Sequence, residues 1–121
     1  KTTSGEIRVH IEKHTDLDVL DRTKEVFHFL KMDNTAQRNG VLIYVAVEDH
    51  RFAIYGDKGI NDVVAHDFWE STKDAILNQF KKGDFTQGLI DGVLIAGEQL
   101  QKYFPWDHNG SNELSDEISK G

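Results

Sequence analysis

Seven consecutive apolar residues, Val41-Leu42-Ile43-Tyr44-Val45-Ala46-Val47, constrain this chain more than any other feature. A strand with one wet face alternates apolar and polar side chains, whereas a strand with no polar side has to be covered on both faces. Helices supply that cover, so the run implies a sheet between helical layers. The polar break 33–40 precedes it and the short turn Glu48-Asp49-His50 follows it. Arg51-Phe52-Ala53-Ile54-Tyr55 then reads as the returning arm of a hairpin.

The flanking segments supply the other elements. Glu6-Ile7-Arg8-Val9-His10-Ile11-Glu12 alternates strictly, the pattern of a strand with one buried face. After a polar break, Asp16 or Asp18 offers an N-cap for a helix reaching about Met32, with Val19, Leu20, Val26, Phe27 and Leu30 on one stripe. A long helix is expected over 63–82, with Val64, Phe68, Ala75, Ile76 and Phe80 on one side and Gly83 as its stop. Asp84-Phe85-Thr86-Gln87 resembles a capping box. The helix it opens carries Leu89, Val93, Ala96, Leu100 and Tyr103 on one face, allows close approach through Gly88, Gly92 and Gly97, and ends at Pro105. The order is β-α-β-β-α-α: a three-layer α/β/α sandwich around a small mixed β-sheet of three or four strands. Residues 1–105 form one domain in this reading, and 106–121 form a flexible polar tail.

Composition narrows the function. A chain of 121 residues with 14 Lys and Arg against 21 Asp and Glu has a net charge of −7. Nucleic acid and anionic membrane surfaces select for basic patches, so neither is the expected partner; metal cations suit the balance better. With no cysteine, thiol catalysis, zinc–cysteine sites and disulfides are excluded. No apolar run approaches the roughly 20 residues of a spanning helix, and no signal sequence opens the chain, so a cytoplasmic monomer is the expectation.

Topology places the polar breaks. In a hairpin, the loop entering the strand at Val41 and the loop leaving the strand at Tyr55 lie at the same end of the sheet. This brings Asp33, Asn34, Thr35, Gln37, Arg38 and Asn39 towards Asp57, Asn61 and Asp62, with His66 and Asp67 beyond. Carboxylates and amides converging in this way suit a hard cation, calcium before magnesium, with room for one ion or two. The candidate ligands are Asp33, Asn34, Asn39, Asp57, Asn61 and Asp62. Capping by Asp33 and Asp62 and turn chemistry at Asn39-Gly40 form the competing reading.

Other motifs fall short. Asp16-Leu17-Asp18 resembles the aspartyl-phosphate motif of haloacid-dehalogenase-type phosphatases, but Lys13, His14 and Thr15 separate it from the strand, and helix capping explains it better. The same acids fail as an EF-hand loop, with Leu20 at position five and Phe27 at position twelve. Gly56-Asp57-Lys58-Gly59 lacks the phosphate-loop ending, and the six histidines show no zinc spacing. His66, beside Asp67, is the one candidate proton carrier near the loops, against the plainer role of a solvated helix-start histidine.

The segments TSGEIRVHIE, DNTAQRNGVLIYVAVEDHRFAIYGDKGI and FKKGDFTQGLIDGVLIAGEQLQKYFP resemble the TPM-domain family over nearly the whole of 5–105. Its most specific part here is Arg38-Asn39-Gly40-Val41-Leu42, followed by Asp49 and the glycine-containing loop. That family includes the thylakoid-lumen acid phosphatase of photosystem II repair and many bacterial proteins of unassigned role. The resemblance implies an α/β/α fold, divalent-cation binding and, in some members, a weak phosphatase activity. Many members also carry a further amphipathic helix before the first strand, a signal peptide and a membrane anchor, which this sequence does not show.

Two functions follow. In the first, a cation bridges loops 33–39 and 57–62, orders them and presents a surface to a protein partner. In the second, the cation polarises phosphate and activates water while Arg38, with Lys58, binds the phosphoryl oxygens. No residue stands out as a nucleophile or general acid, which favours the first; Arg38 has the alternative role of pairing with a neighbouring Asp to hold the loops in register.

Overall fold

The apolar run occupies the middle of the sheet. In the computed structural model, which describes residues 5–105, β1 (Glu6–Glu12), β2 (Gly40–Ala46) and β3 (Arg51–Gly56) form one sheet in the order β1-β2-β3. The tail expected over 106–121 lies outside the described residues. β1 runs parallel to β2, from Glu6 opposite Gly40 to Glu12 opposite Ala46. β3 runs antiparallel to β2, from Val41 opposite Gly56 to Ala46 opposite Arg51. Every residue of β2 is buried, as a run with no polar side requires.

The two faces of β2 feed two cores. Leu42, Tyr44 and Ala46 join Val19, Val26, Phe27 and Met32 beneath α1 (Val19–Phe29). Val41 and Ile43, with Ile54 of β3, join Ile76, Ala96 and Leu100 of α3 (Glu70–Lys81) and α4 (Phe85–Tyr103). This is the expected α/β/α sandwich. No helix among the described residues is long and apolar enough to cross a membrane.

Local chemistry sets the helix ends. Asp18 caps α1, its side chain accepting from the Leu20 and Asp21 amides. Asp84 caps α4 by accepting from the Gln87 amide, the main half of the expected capping box. On the α1 stripe, Val19, Val26 and Phe27 are buried, but Leu20 faces solvent.

Two expectations change. A short helix, α2 (Lys58–Asn61), occupies the polar break after β3, and the long helix expected over 63–82 begins only at Glu70. Residues 62–69 instead make tight turns, with Val63 N–H donating to the Ile60 carbonyl and Phe68 N–H to Ala65. That path carries the chain from the end of the sheet onto its face. It also buries Trp69 beside Gly56 and sets Phe68 edge-on to Tyr103 at 5.6 Å. The observed order is therefore β1-α1-β2-β3-α2-α3-α4.

The apolar face expected on β1 is only partly covered. Ile7 packs on the core, whereas Val9 and Ile11 remain 37% and 51% exposed, because β1 is an edge strand and α4 approaches it at the Ile7 end through Gly97. The opposite face of β1 is clamped instead. Arg22 of α1 makes two hydrogen bonds to Glu12, Nε to Oε1 at 3.0 Å and Nη2 to Oε2 at 2.6 Å. The Tyr44 hydroxyl donates to the same carboxylate. Arg22 holds the Glu12 carboxyl down at about 2, and burial beside Glu12 pushes the Tyr44 hydroxyl up to about 12.

Gly92 and Gly97 separate close packing from helix propensity. A Cβ at Gly92 would lie 2.7 Å from Ile76, a fully buried side chain, whereas one at Gly97 would stand 3.9 Å from Ile7. Gly92→Ala is expected to lower stability by about 1–3 kcal/mol through overpacking. Gly97→Ala should raise it by up to about 1 kcal/mol, because alanine is the better helix former. Denaturant unfolding of both variants checks the opposite signs.

Candidate functional site

The antiparallel pairing of β2 and β3 brings loops 33–39 and 57–62 to one end of the sheet. Asp57 N–H donates to the Gly40 carbonyl at 2.9 Å, extending the ladder by one bond, and Gly59 N–H donates to the Arg38 carbonyl at 2.8 Å. The contact is close: a Cβ on Gly59 would sit 1.9 Å from the Gln37 carbonyl oxygen and 2.7 Å from that of Arg38. Glycine is what lets the two loops touch.

Arg38 and Asp57 form the centre of this contact. Arg38 takes a left-handed backbone, φ 51°, and its guanidinium grips the carboxylate in bidentate fashion, Nε to Oδ2 at 2.7 Å and Nη2 to Oδ1 at 3.0 Å. Asp57 Oδ1 also accepts from the Lys58 amide at 2.7 Å, capping α2. The Asp57 side chain is 3% exposed and that of Arg38 is 46% exposed. Asp57, with Asp33 adding at longer range, raises the Arg38 guanidinium pKa.

The other expected ligands take varied places. Asp33 is partly exposed, with Oδ2 at 3.5 Å from His28 Nδ1. Asn34 is exposed, and Asn61, also exposed, donates from Nδ2 to the Gly56 carbonyl at 3.1 Å. Asn39 is buried; its side-chain oxygen accepts from the Thr35 hydroxyl, which in turn accepts from the Asn39 amide. Asp62 is the exposed C-cap residue of α2. His66 lies exposed in the turns ahead of α3, not at a helix start, and Lys58 is exposed.

The structure thus joins the loops without drawing their carboxylates into one cluster. Among the described residues, no three His, Asp or Glu side chains form a group that can hold a metal ion. Asp57 is committed to Arg38, the register-holding role the sequence offered for that arginine. The oxygen donors left in the two loops are the Asp33 and Asp62 carboxylates, the Asn34 and Asn61 amide oxygens and loop carbonyls, which are not gathered around one point.

A second polar cluster, absent from the sequence reading, lies at the opposite end of the sheet. His14, in the loop after β1, bonds Asp49 in the β2–β3 turn through Nδ1 and Asp16 through Nε2, both at 2.7 Å. Asp49 also accepts from the Thr15 amide at 3.0 Å, and Arg51 lies near it. Asp49 and Asp16 raise the His14 pKa to about 8. Residues 35 positions apart give no local signal of such a pairing.

Comparison with known proteins places the chain. Fold and loop geometry define a small α/β/α domain whose polar end is built from two loops in contact. A family model described as TPM domain matches residues 1–99, and the chain belongs to the TPM-domain family. It is similar to the BA42 protein of the psychrophilic bacterium Bizionia argentinensis, solved by NMR, with 65% identity and a TM-score of 0.85 over 90% of this chain and 75% of that one. The N-terminal domain of a P. gingivalis protein shares the fold at 17% identity, with a TM-score of 0.66 over 85% of this chain and 68% of that one. No curated protein matches the chain.

Two outcomes follow from the polar ends. A histidine whose folded pKa lies above its ordinary value of 6.5 contributes stability that is fully present below about 6.5 and lost as pH rises through about 8. An NMR pH titration should therefore place the His14 midpoint near 8, and His14→Ala should remove the fall in stability between these values. Gly59→Ala should destabilise the domain by about 1–3 kcal/mol and shift the amides of both site loops, read by unfolding and by NMR.

Proposed function

We propose that the end of the domain formed by loops 33–39 and 57–62 binds a divalent cation, calcium in preference to magnesium, and that occupancy tunes these loops for a protein partner. The observation that carries this reading is the direct seam between the loops, Gly59 N–H on the Arg38 carbonyl with Arg38 on Asp57. Oxygen donors from two segments are thereby held at one end of a rigid sheet. Asp33, Asn34, Asn61, Asp62 and loop carbonyls supply ligands of the kind calcium accepts in flexible geometry, with Asp57 as the buried carboxylate behind them. Asn39 supports the loop from inside through Thr35.

A bound cation stabilises the arrangement that gathers its ligands, so loop order and any partner affinity that depends on it become linked to cation concentration. Membership in the TPM-domain family supports the same reading. A metal-dependent phosphatase of low activity is the second reading, supported by the exposed flank of Arg38, which suits a phosphoryl group.

Calcium and magnesium titrations of chelator-treated protein, followed by NMR, test the proposal. The amides of 33–40 and 56–62 should shift together and saturate for calcium at about 10⁻⁶ to 10⁻⁴ M. Silence at millimolar calcium would defeat it. Hydrolysis of a phosphate monoester that tracks metal occupancy and disappears in Arg38→Ala would move the assignment to the phosphatase.

A further inference from the structure

A cleft opens at the hairpin-turn end of the sheet, away from loops 33–39 and 57–62. The end of β2 and the start of β3 form one wall, and the end of α3 with the turn into α4 forms the other. Its volume is about 400 Å³, within the range that takes a small organic molecule.

The lining divides by chemistry. Phe52, Phe80 and Phe85 run from the sheet to the helices, with ring centroids 5.6 Å apart for the first pair and 5.1 Å for the second. Phe80 lies over Gly88, where a Cβ would meet its ring at 2.7 Å, so this aromatic wall is held in place. Beside it, Val47 and Leu77 remain 39% and 41% exposed. An apolar group that fits displaces water from such a surface favourably.

The polar side chains of the lining are all basic. Arg51 opens β3, Lys81 closes α3 and His50 sits in the hairpin turn, all three exposed. Among the described residues no Asp or Glu lines the cleft, although acids outnumber Lys and Arg by 21 to 14 in the chain. Two carboxylates close by in sequence are engaged elsewhere, Asp49 with His14 and the Thr15 amide, Asp84 with the Gln87 amide. Arg51 and Lys81 make no ion pair or side-chain hydrogen bond among the described residues, and Arg51 acts on Asp49 only at longer range.

We propose that this cleft binds a small organic acid, its apolar body among the three phenylalanines and its carboxylate at Arg51 and Lys81. Charge complementarity selects that occupant. A neutral hydrocarbon leaves both cations unpaired, and an organic cation is repelled by them. A carboxylate gains charge-assisted hydrogen bonds, and the guanidinium fork matches its two oxygens. The occupant joins the hairpin turn to the α3–α4 turn, so binding stabilises the folded domain. The cleft is separate from the loops at the opposite end, and its occupancy needs no cation there.

Octanoate and octanol, titrated separately into the full chain and followed by NMR, test the proposal. The amides of 45–52 and 77–85 should shift together and saturate, with octanoate binding about tenfold more tightly than octanol. Arg51→Ala combined with Lys81→Ala should remove that preference and leave octanol binding unchanged. Val47→Glu should abolish octanoate binding by placing a like charge at the mouth. All three side chains are exposed, so these variants keep the fold. Equal binding of octanoate and octanol by wild type would overturn the proposal, and so would octanoate binding undiminished in the double variant. Silence of these amides towards both molecules would overturn it as well. Shifts of the same amides on dilution, with no ligand added, would give the cleft to a second copy of this chain instead.

Discussion

Everything in this domain is arranged around β2. With all seven of its residues buried, the strand has to be sandwiched, and each face collects its own core: α1 on one side, α3 and α4 on the other. A fully buried aliphatic or aromatic side chain contributes about 1.5–3 kcal/mol, so Leu42, Ile43, Tyr44 and Val45 together outweigh any polar contact at the surface. The same strand determines where chemistry can happen. Its parallel neighbour has to return through α1, and its antiparallel neighbour turns back at once. The loop before β2 and the loop after β3 are thereby brought side by side, with Asp57 N–H on the Gly40 carbonyl as the first bond beyond the sheet.

The features dictated by local physics were legible in the sequence. The buried strand, the hairpin, the Asp18 and Asp84 caps and the shared end of two loops all follow from periodicity, capping chemistry and connectivity. What escaped depends on partners distant along the chain. The start of α3 at Glu70 could not be read from residues 63–69, whose apolar side chains suit a helix as well as turns. Their conformation is settled by where Trp69 and Phe68 find cover, beside Gly56 and Tyr103. The exposed Val9 and Ile11 show the converse: a clean alternating pattern marks a face that can be buried, not one that a helix reaches.

The candidate site was half legible for the same reason. Topology sufficed to bring the loops together, but not to say which side chain would claim which. Arg38 and Asp57 are 19 residues apart, and nothing in the spacing of Asp33, Asp57 and Asp62 distinguishes the one that becomes buried. Burial chose Asp57, because it follows directly from β3 and has to cap α2 within the seam. A carboxylate placed there needs a cation close by, and the preceding loop supplies one.

With 21 Asp and Glu against 14 Lys and Arg, cationic groups are outnumbered, and this fold uses several as cross-links. Arg22 ties α1 to β1 through Glu12, His14 ties the loop after β1 to the hairpin turn through Asp49, and Arg38 ties two loops through Asp57. These ties differ in how readily they are undone. Arg22 serves Glu12 together with the buried Tyr44, so its release would strand polar groups against the core. His14 loses its charge as pH rises, which loosens a surface loop without touching the interior. Arg38 cannot lose its charge, and its bidentate grip is not matched by lysine. Its tie to Asp57 therefore persists through the pH range in which the His14 tie is lost. An acidic domain that closes its seam with an arginine on a buried carboxylate avoids the mutual repulsion that a cluster of bare carboxylates would bring.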